Sequence, residues 1–244
     1  LPRPRPVTQD RLPLTHPDYR YPGSWNPYWK KLKELGDVVR HDNGTEAHPG
    51  HWRAQFADPA FQGAPLHLEI GCNAGHVILE WAARDPKGAY IGLDWKFKMI
   101  FKGAEKARKR ELKNLLFFRA HADRLRYMFA PGEVDHLYLY FPDPWPKKAH
   151  WKNRFVTAAN LNELAGIVRK NGSFHIKTDH PGYFEWMERA LSQVSDLWEI
   201  QARTTDLHAD HPDPGRLEIP EVTLFERLFI KKSIPIHSLQ LRRK

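Results

Sequence analysis

The sequence predicts an α/β fold: a mainly parallel sheet of about seven strands, covered by helices on both faces and finished by an antiparallel C-terminal hairpin. Three observations carry this reading. From residue 66 onward, short apolar runs of strand character alternate with stretches of helical periodicity. A glycine-punctuated turn, Gly71-Cys72-Asn73-Ala74-Gly75, follows the first of these runs, where a strand would hand over to a helix. Near the C-terminus the alternation stops, and two strand-like runs are separated only by a loop rich in His, Asp and Pro.

In order, the pattern predicts a strand at 66–70, a helix at 77–83, a strand at 90–93 and a basic helix at 96–112. Strands follow at 115–120 and 136–141, a helix at 155–168, a strand at 173–177 and a helix at 183–194. The runs 197–203 and 223–231 both read as strands, joined by the loop 205–222, and form the expected hairpin at the sheet's edge. Residues 1–65 read as an extension to a main domain at 66–244. The opening Leu1-Pro2-Arg3-Pro4-Arg5-Pro6 cannot form a helix and reads as an extended basic arm. Trp25, Tyr28, Trp29 and Trp52 are expected to pack on something, because large aromatics are costly to leave in water.

At 244 residues one large α/β domain plus this appendage is expected, not two full domains. The 38 Lys+Arg outnumber the 29 Asp+Glu by nine, and this excess favours a polyanionic partner over a merely soluble basic protein. The single cysteine, Cys72, excludes an intrachain disulfide and a thiol-rich metal site, so the expected compartment is a reducing cytoplasm. No apolar run approaches the ~18 residues that span a bilayer, and no signal-peptide core opens the chain. The first residue is Leu1 rather than methionine, so a few residues are expected to precede it.

The stretch Phe141-Pro142-Asp143-Pro144-Trp145-Pro146-Lys147-Lys148 directly follows the strand-like run His136-Leu137-Tyr138-Leu139-Tyr140, expected to be buried. It presents a carboxylate, a large aromatic and two cations where ligands bind in open α/β sheets. Its prolines restrict the residues before them, so Asp143 and Trp145 are expected in extended geometry. A second carboxylate, Asp94, closes the second strand 25 residues beyond Glu69, where an acid can accept from a ribose diol. After the third strand, either His121 or Asp123 could accept from an adenine amine, although Asp123 could equally be only a helix N-cap.

The strand order resembles that of the Rossmann-like class I S-adenosylmethionine-dependent methyltransferases, and Glu69 to Gly75 resembles their E-x-G-x-G-x-G loop, with Asn73 in the place of the middle glycine. At Asp143 the resemblance narrows to the bacterial tRNA (guanine-N7-)-methyltransferases. It rests on Phe141 to Lys148 with the basic residues after it, on Thr178-Asp179, and on Thr223-Leu224-Phe225-Glu226. The matching elements span about residues 66–232. The resemblance implies cofactor binding by Glu69, Asp94 and Asp143, with Asp143 also catalytic; Gly71, Asn73 and Gly75 of the matching loop, and either His121 or Asp123 at the adenine end, complete the expected cofactor site. It implies tRNA contact by Lys147, Asp179, Thr223, Leu224, Phe225 and Glu226. His121 stands where the family usually has an Asp, and Ala149 where an Arg is common.

Guanine N7 carries a lone pair and no proton, so its methylation needs in-line positioning more than a general base. A carboxylate near the ring favours the cation that develops there, and Asp143, Asp179 or Glu226 could accept from the N1–H and N2–H₂ edge of guanine. Trp145 either stacks on an extruded base or plugs the loop from beneath. Lys147, Lys148, Lys152 and Arg154 are expected on backbone phosphates. The cations of the 96–113 stretch cover more than one helix face and read mostly as solvated, and Arg3, Arg5 and Arg11 read as a tRNA clamp.

Neither His208 with His211 nor His48 with His51 has a compelling metal-ligand spacing, and no metal is expected. The resemblance implies S-adenosyl-L-methionine as cofactor, with S-adenosyl-L-homocysteine as product, and guanine 46 of the tRNA variable loop as substrate. Two alternatives stand beside it: an exocyclic-amine nucleic-acid methyltransferase, suggested by Asp143-Pro144-Trp145, and a catalytically inactive tRNA-binding homologue, suggested by Asn73 and His121. Monomer and homodimer are both open.

Overall fold

The computed structural model describes residues 28, 31–32, 34–36, 38–41, 49–210 and 222–244. The basic arm with Arg3, Arg5 and Arg11, and also Trp25, Trp29, His48 and His211, lie outside these residues. Among the described residues eight strands form one sheet: β1 Val39–His41, β2 Leu66–Ile70, β3 Ala89–Asp94, β4 Leu115–Arg119, β5 Val134–Tyr140, β6 Val168–Thr178, β7 Trp198–Thr204 and β8 His237–Arg243. Among the described residues from 49 onward the α-helices are α1 Ile78–Arg84, α2 Phe97–Lys109, α3 Leu125–Met128, α4 Ala158–Ile167, α5 Pro181–Ser192, α6 Leu207–Asp210 and α7 Leu224–Lys231. The order across the sheet is β1-β4-β3-β2-β5-β6-β8-β7. All neighbours are parallel up to β6, and β8 runs antiparallel to both β6 and β7.

The chain winds outward from β2 in one direction through β3 and β4, and then in the other through β5 and β6. The order therefore reverses between β2 and β5, which opens a crevice beyond their carboxyl ends. Leu66, Leu68 and Ile70 point into one core with Leu137, Leu139, Phe174 and α4 and α5. The opposite face buries Trp81, Phe117, Tyr138 and Tyr140 against α1 and α2. A strand buried on both faces reads as a near-continuous apolar run, which is why β3 and β4 were legible without an alternating pattern.

The C-terminal end differs from the sequence expectation. Residues 223–231 do not form a strand: Thr223 caps α7, its hydroxyl accepting from the Glu226 N–H while the Glu226 carboxylate takes the Thr223 N–H. This reciprocal capping box is a helix start signal, and it outweighs the β-propensity of Phe225 and Ile230. The antiparallel partner of β7 is instead β8, whose alternating Leu239 and Leu241 are buried. It enters between β6 and β7 rather than beside β7 at the edge.

Residues before 66 contribute to the same cores. β1 extends the sheet beside β4, Tyr28 packs 5.6 Å from Phe101, and the Trp52 indole is fully buried against Phe118 and Phe129. Trp52 Nε1 donates to the Met128 carbonyl at 2.6 Å, and Glu133 accepts from the Trp52 and Gly50 N–H groups.

Away from the crevice a row of aromatic rings crosses the sheet. His67 on β2 stacks between Tyr90 on β3, at 4.5 Å, and His136 on β5, at 4.6 Å. Its Nδ1 bonds the Tyr138 hydroxyl at 3.0 Å, and His136 Nδ1 bonds Ser173 Oγ at 2.8 Å. Burial pushes His67 down to about 3 and His175 down to about 4, helped by the His136 charge, while Asp85 and Asp135 oppose the shift at His67. Both imidazoles thus stay neutral in the fold where the unfolded chain would protonate them. Their stabilising contribution is present above pH 6.5 and lost as the pH falls, by up to about 1.4 kcal/mol per histidine per pH unit. Urea midpoints of a His67→Gln/His175→Gln variant should fall less steeply between pH 7 and pH 5 than those of the parent. Parallel slopes would show that these rings are not held neutral.

Candidate active site at the strand-order reversal

The expected site residues lie along one edge, the carboxyl ends of β4, β3, β2, β5 and β6, with α7 packed beside them. At the turn after β2, the Gly71 and Cys72 N–H groups both donate to the Leu93 carbonyl, which ties the turn to the end of β3. Gly71, Asn73 and Gly75 have φ of +76°, +52° and +71°. At Gly75 a Cβ would meet the Phe117 ring at 2.6 Å, so glycine is needed there for space as well as for φ. Asn73 tolerates its left-handed backbone because its own Oδ1 accepts from the Ala74 N–H at 2.8 Å.

Asp94 joins this turn to the next. Its carboxylate accepts from the Asn73 N–H at 3.1 Å and the Lys96 N–H at 2.8 Å, while burial raises its pKa against those bonds. Glu69 is more strongly perturbed: burial, with the Asp94 charge adding, pushes its carboxyl up to about 8, opposed by an Ile78 N–H. Its buried Oε2 has no hydrogen-bond partner. An orphaned buried oxygen at the mouth of a crevice is poised for a ligand donor. Trp95, 53% exposed beside Asp94, was not picked out from the sequence, where it reads only as the residue after the acid.

After β4, Asp123 is not the N-cap. His121 caps the short turn 122–124, its Nδ1 accepting from the Asp123 N–H at 3.3 Å, and this leaves the half-exposed Asp123 carboxylate 3.5 Å from the same nitrogen.

The loop after β5 carries Asp143, exposed, between two non-glycine residues in left-handed backbone, Phe141 at φ +51° and Trp145 at φ +44°. Trp145 is therefore not extended as its following proline suggested. Pro146 disfavours the right-handed helical region at the residue before it, so the turn is made through the left-handed one, with strain on the order of 1–3 kcal/mol. Arg154 braces this loop. It is 4% exposed, and its Nε donates to the Pro144 carbonyl at 2.8 Å. Its guanidinium lies about 5 Å from the Trp151, Tyr183 and Trp186 rings. Arg154 is thus a buried strut and not a free phosphate ligand, a correction that depends on α5 supplying two of those rings. Lys147, Lys148 and Lys152 remain exposed around a short 3₁₀ turn, Lys148–Asn153. The half-buried Trp145 ring meets His150 edge-on at 5.8 Å.

At the end of β6, Asp179 is half-exposed, whereas Lys177 is buried and bonds Glu226 at 3.0 and 3.2 Å. Of the segment expected to meet tRNA, Thr223 and Glu226 are buried and only Leu224 and Phe225 are open to solvent. Lys177 was missed from sequence, although a cation directly after Phe174-His175-Ile176, at the end of a buried strand, was its signal. Among the described residues no cluster of three or more His, Cys, Asp or Glu is placed to hold a metal ion, and no helix is long and apolar enough to cross a membrane.

A glycine turn, an acid at the end of the next strand and a carboxylate loop across a strand-order reversal define, with this sheet, a class I methyltransferase. Two solved structures share the fold: a 16S rRNA methyltransferase, KamB, at TM-score 0.56 and 20% identity over 78% of this chain and 93% of that one, and an antibiotic-related methyltransferase at TM-score 0.53 and 19% identity over 76% and 89%. A family model described as "Putative methyltransferase" matches residues 63–239. Proteins named tRNA (guanine-N(7)-)-methyltransferase are similar over most of their length. That of Lachnoclostridium phytofermentans is 33% identical over 83% of this chain and 89% of its own, and that of Bacillus subtilis 32% over 79% and 85%. The chain also spans about a third of a bifunctional glycosyltransferase/methyltransferase of Fusobacterium nucleatum, at 30% identity. The chain belongs to the tRNA (guanine-N(7)-)-methyltransferase family.

Proposed function

We propose that this protein methylates N7 of guanine 46 in the variable loop of cytoplasmic tRNA, using S-adenosyl-L-methionine and releasing S-adenosyl-L-homocysteine. The observation that carries the reading is the juxtaposition, at the strand-order reversal, of the Glu69–Asp94 carboxyl pair with the braced loop presenting Asp143. When bound, the cofactor supplies an electrophilic methyl group on a sulfonium centre. The residues fit such a ligand: Glu69 offers an unpartnered oxygen, Asp94 retains capacity to accept from a diol, and the space above Gly71 is open. The adenine end is assigned to His121 or Asp123, which share the turn after β4, and Asn73, satisfied within its own turn, supports a working rather than a lapsed cofactor loop.

Asp143 needs to remove no proton from N7. Its carboxylate lowers the energy of a purine ring gaining positive charge, and with Asp179 it accepts from the donor edge of guanine. A rigid loop suits this role, because orientation rather than acid–base chemistry limits the reaction. Arg3, Arg5 and Arg11 of the N-terminal extension are assigned to clamping tRNA.

The test is incubation with methyl-labelled cofactor and two tRNA transcripts, carrying guanine or adenine at position 46, followed by base-specific cleavage. Label confined to the guanine transcript at that position supports the reading. Label on an exocyclic amine would replace it with the amine-methylating alternative, and cofactor binding without any label would point to another acceptor. Lys147→Ala should weaken tRNA binding and make its salt dependence shallower by roughly 0.7–0.9 in the log–log slope, the loss of one phosphate contact. An unchanged slope would return Lys147 to the solvated surface.

A further inference from the structure

Glu226 has no exposed surface, and its four acceptor positions are all engaged within the protein. Lys177 Nζ donates to both oxygens, His208 Nε2 bonds Oε1 at 2.9 Å, and the Thr223 N–H donates to Oε2 at 3.2 Å. Lys177 has a second connection: its backbone carbonyl accepts the Phe141 N–H at 2.8 Å, at the first residue of the Asp143 loop, and its ammonium lies 4.9 Å from the Tyr140 ring. One residue thus holds α7 through its side chain and the start of the Asp143 loop through its backbone. From α7, Phe225 and Phe229 reach back to the Phe141 ring at 6.3 and 5.5 Å.

We propose that Lys177, Glu226 and His208 form a buried latch that seats α7 beside the crevice and thereby sets the Asp143 loop, so that Lys177 and Glu226 act as positioning residues and Glu226 does not touch RNA. The exposed part of the segment, Leu224 and Phe225 at 52% and 54%, is what remains for a partner. A carboxylate with every acceptor position filled and no surface gains nothing from an RNA donor, whereas removing Lys177 or Glu226 leaves the other charge buried without its counter-ion, and removing His208 leaves one acceptor position of Glu226 unfilled. The kinetic part rests on the methyltransferase reading, and the helix-seating part does not.

The experiment uses the full chain carrying Lys177→Met, Glu226→Gln, both together, or His208→Ala. It reads hydrogen exchange of the α7 amides, the single-turnover methylation rate at saturating tRNA, and tRNA affinity across salt. Each single variant should speed α7 exchange and slow methyl transfer at least tenfold, with tRNA affinity within threefold of the parent and the salt slope unchanged. The double variant should be no worse than the worse single one. Unchanged α7 exchange in the variants would overturn the proposal, as would a tenfold loss of tRNA affinity with the methylation rate intact. If Lys177→Met and Glu226→Gln fail to fold, exchange in His208→Ala, which removes the partly exposed member, decides it. If the parent itself methylates no tRNA, the functional reading fails, and α7 exchange alone still judges the latch.

Discussion

Asp143→Ala should slow methyl transfer by about 10²–10³-fold at saturating substrates, while the far-UV spectrum and the unfolding midpoint stay at parental values. Separating the two effects is possible because Asp143 is exposed, and the loop that carries it is held by the Phe141 N–H on the Lys177 carbonyl and the Arg154 Nε on the Pro144 carbonyl. Alanine at 143 removes neither contact. If the carboxylate acts on charge developing in the purine ring, the loss belongs to the transition state and falls on kcat. If it acts mainly in holding guanine, KM rises instead. Near-parental turnover with both constants intact would remove Asp143 from the mechanism. Asp143→Asn, which keeps shape and one acceptor oxygen but loses the charge, should lie between alanine and the parent if both roles are used.

Trp52→Ala should be the most destabilising single substitution among those considered, costing about 3–5 kcal/mol for the buried ring. Its indole is fully buried, stacks 5.1 Å from Phe129 and 4.7 Å from Phe118, and donates to the Met128 carbonyl. The vacated space lies beside Phe118, which β4 anchors in the sheet, and beside Phe129, so the surroundings can collapse only partly. For a chain of this size such a loss lowers the thermal midpoint by roughly 10 °C. Trp52→Phe, which refills most of the volume but leaves the Met128 carbonyl without this donor, should lose much less. Urea unfolding distinguishes them, and a cost below about 1 kcal/mol for alanine would mean that residues 49–64 are not part of the cooperative core.

The element pattern from residue 66 to the end of α5 was legible because hydrophobic periodicity and glycine placement are local properties of the chain. β2 was bounded correctly, and the glycine turn, Asp94 and the proline loop were placed at the right strand ends because each motif carries its own steric reason. Where the reading went astray, a contact distant in sequence overrode a local preference. At 223–231 the aromatic and β-branched residues favour a strand, but the Thr223–Glu226 capping box and the bond from Lys177, 49 residues away, hold a helix. Arg154 looked like one more cation in a basic run until α5 brought Tyr183 and Trp186 to its guanidinium.

By itself, then, the amino-acid sequence determined the α/β class, the order of its elements up to α5, and which short segments carry chemistry, since these follow from periodicity, backbone sterics and residue type. Tertiary structure alone decided which charges face water and which are spent inside. It turned Glu226 and Arg154 inward, left Asp143 and Lys147 outside, inserted β8 between β6 and β7, and drew Trp52 into the core. The physical reason is that burial belongs to pairs of segments: a charged side chain can leave water only where the fold brings it a partner, and no local pattern records where that partner will come from.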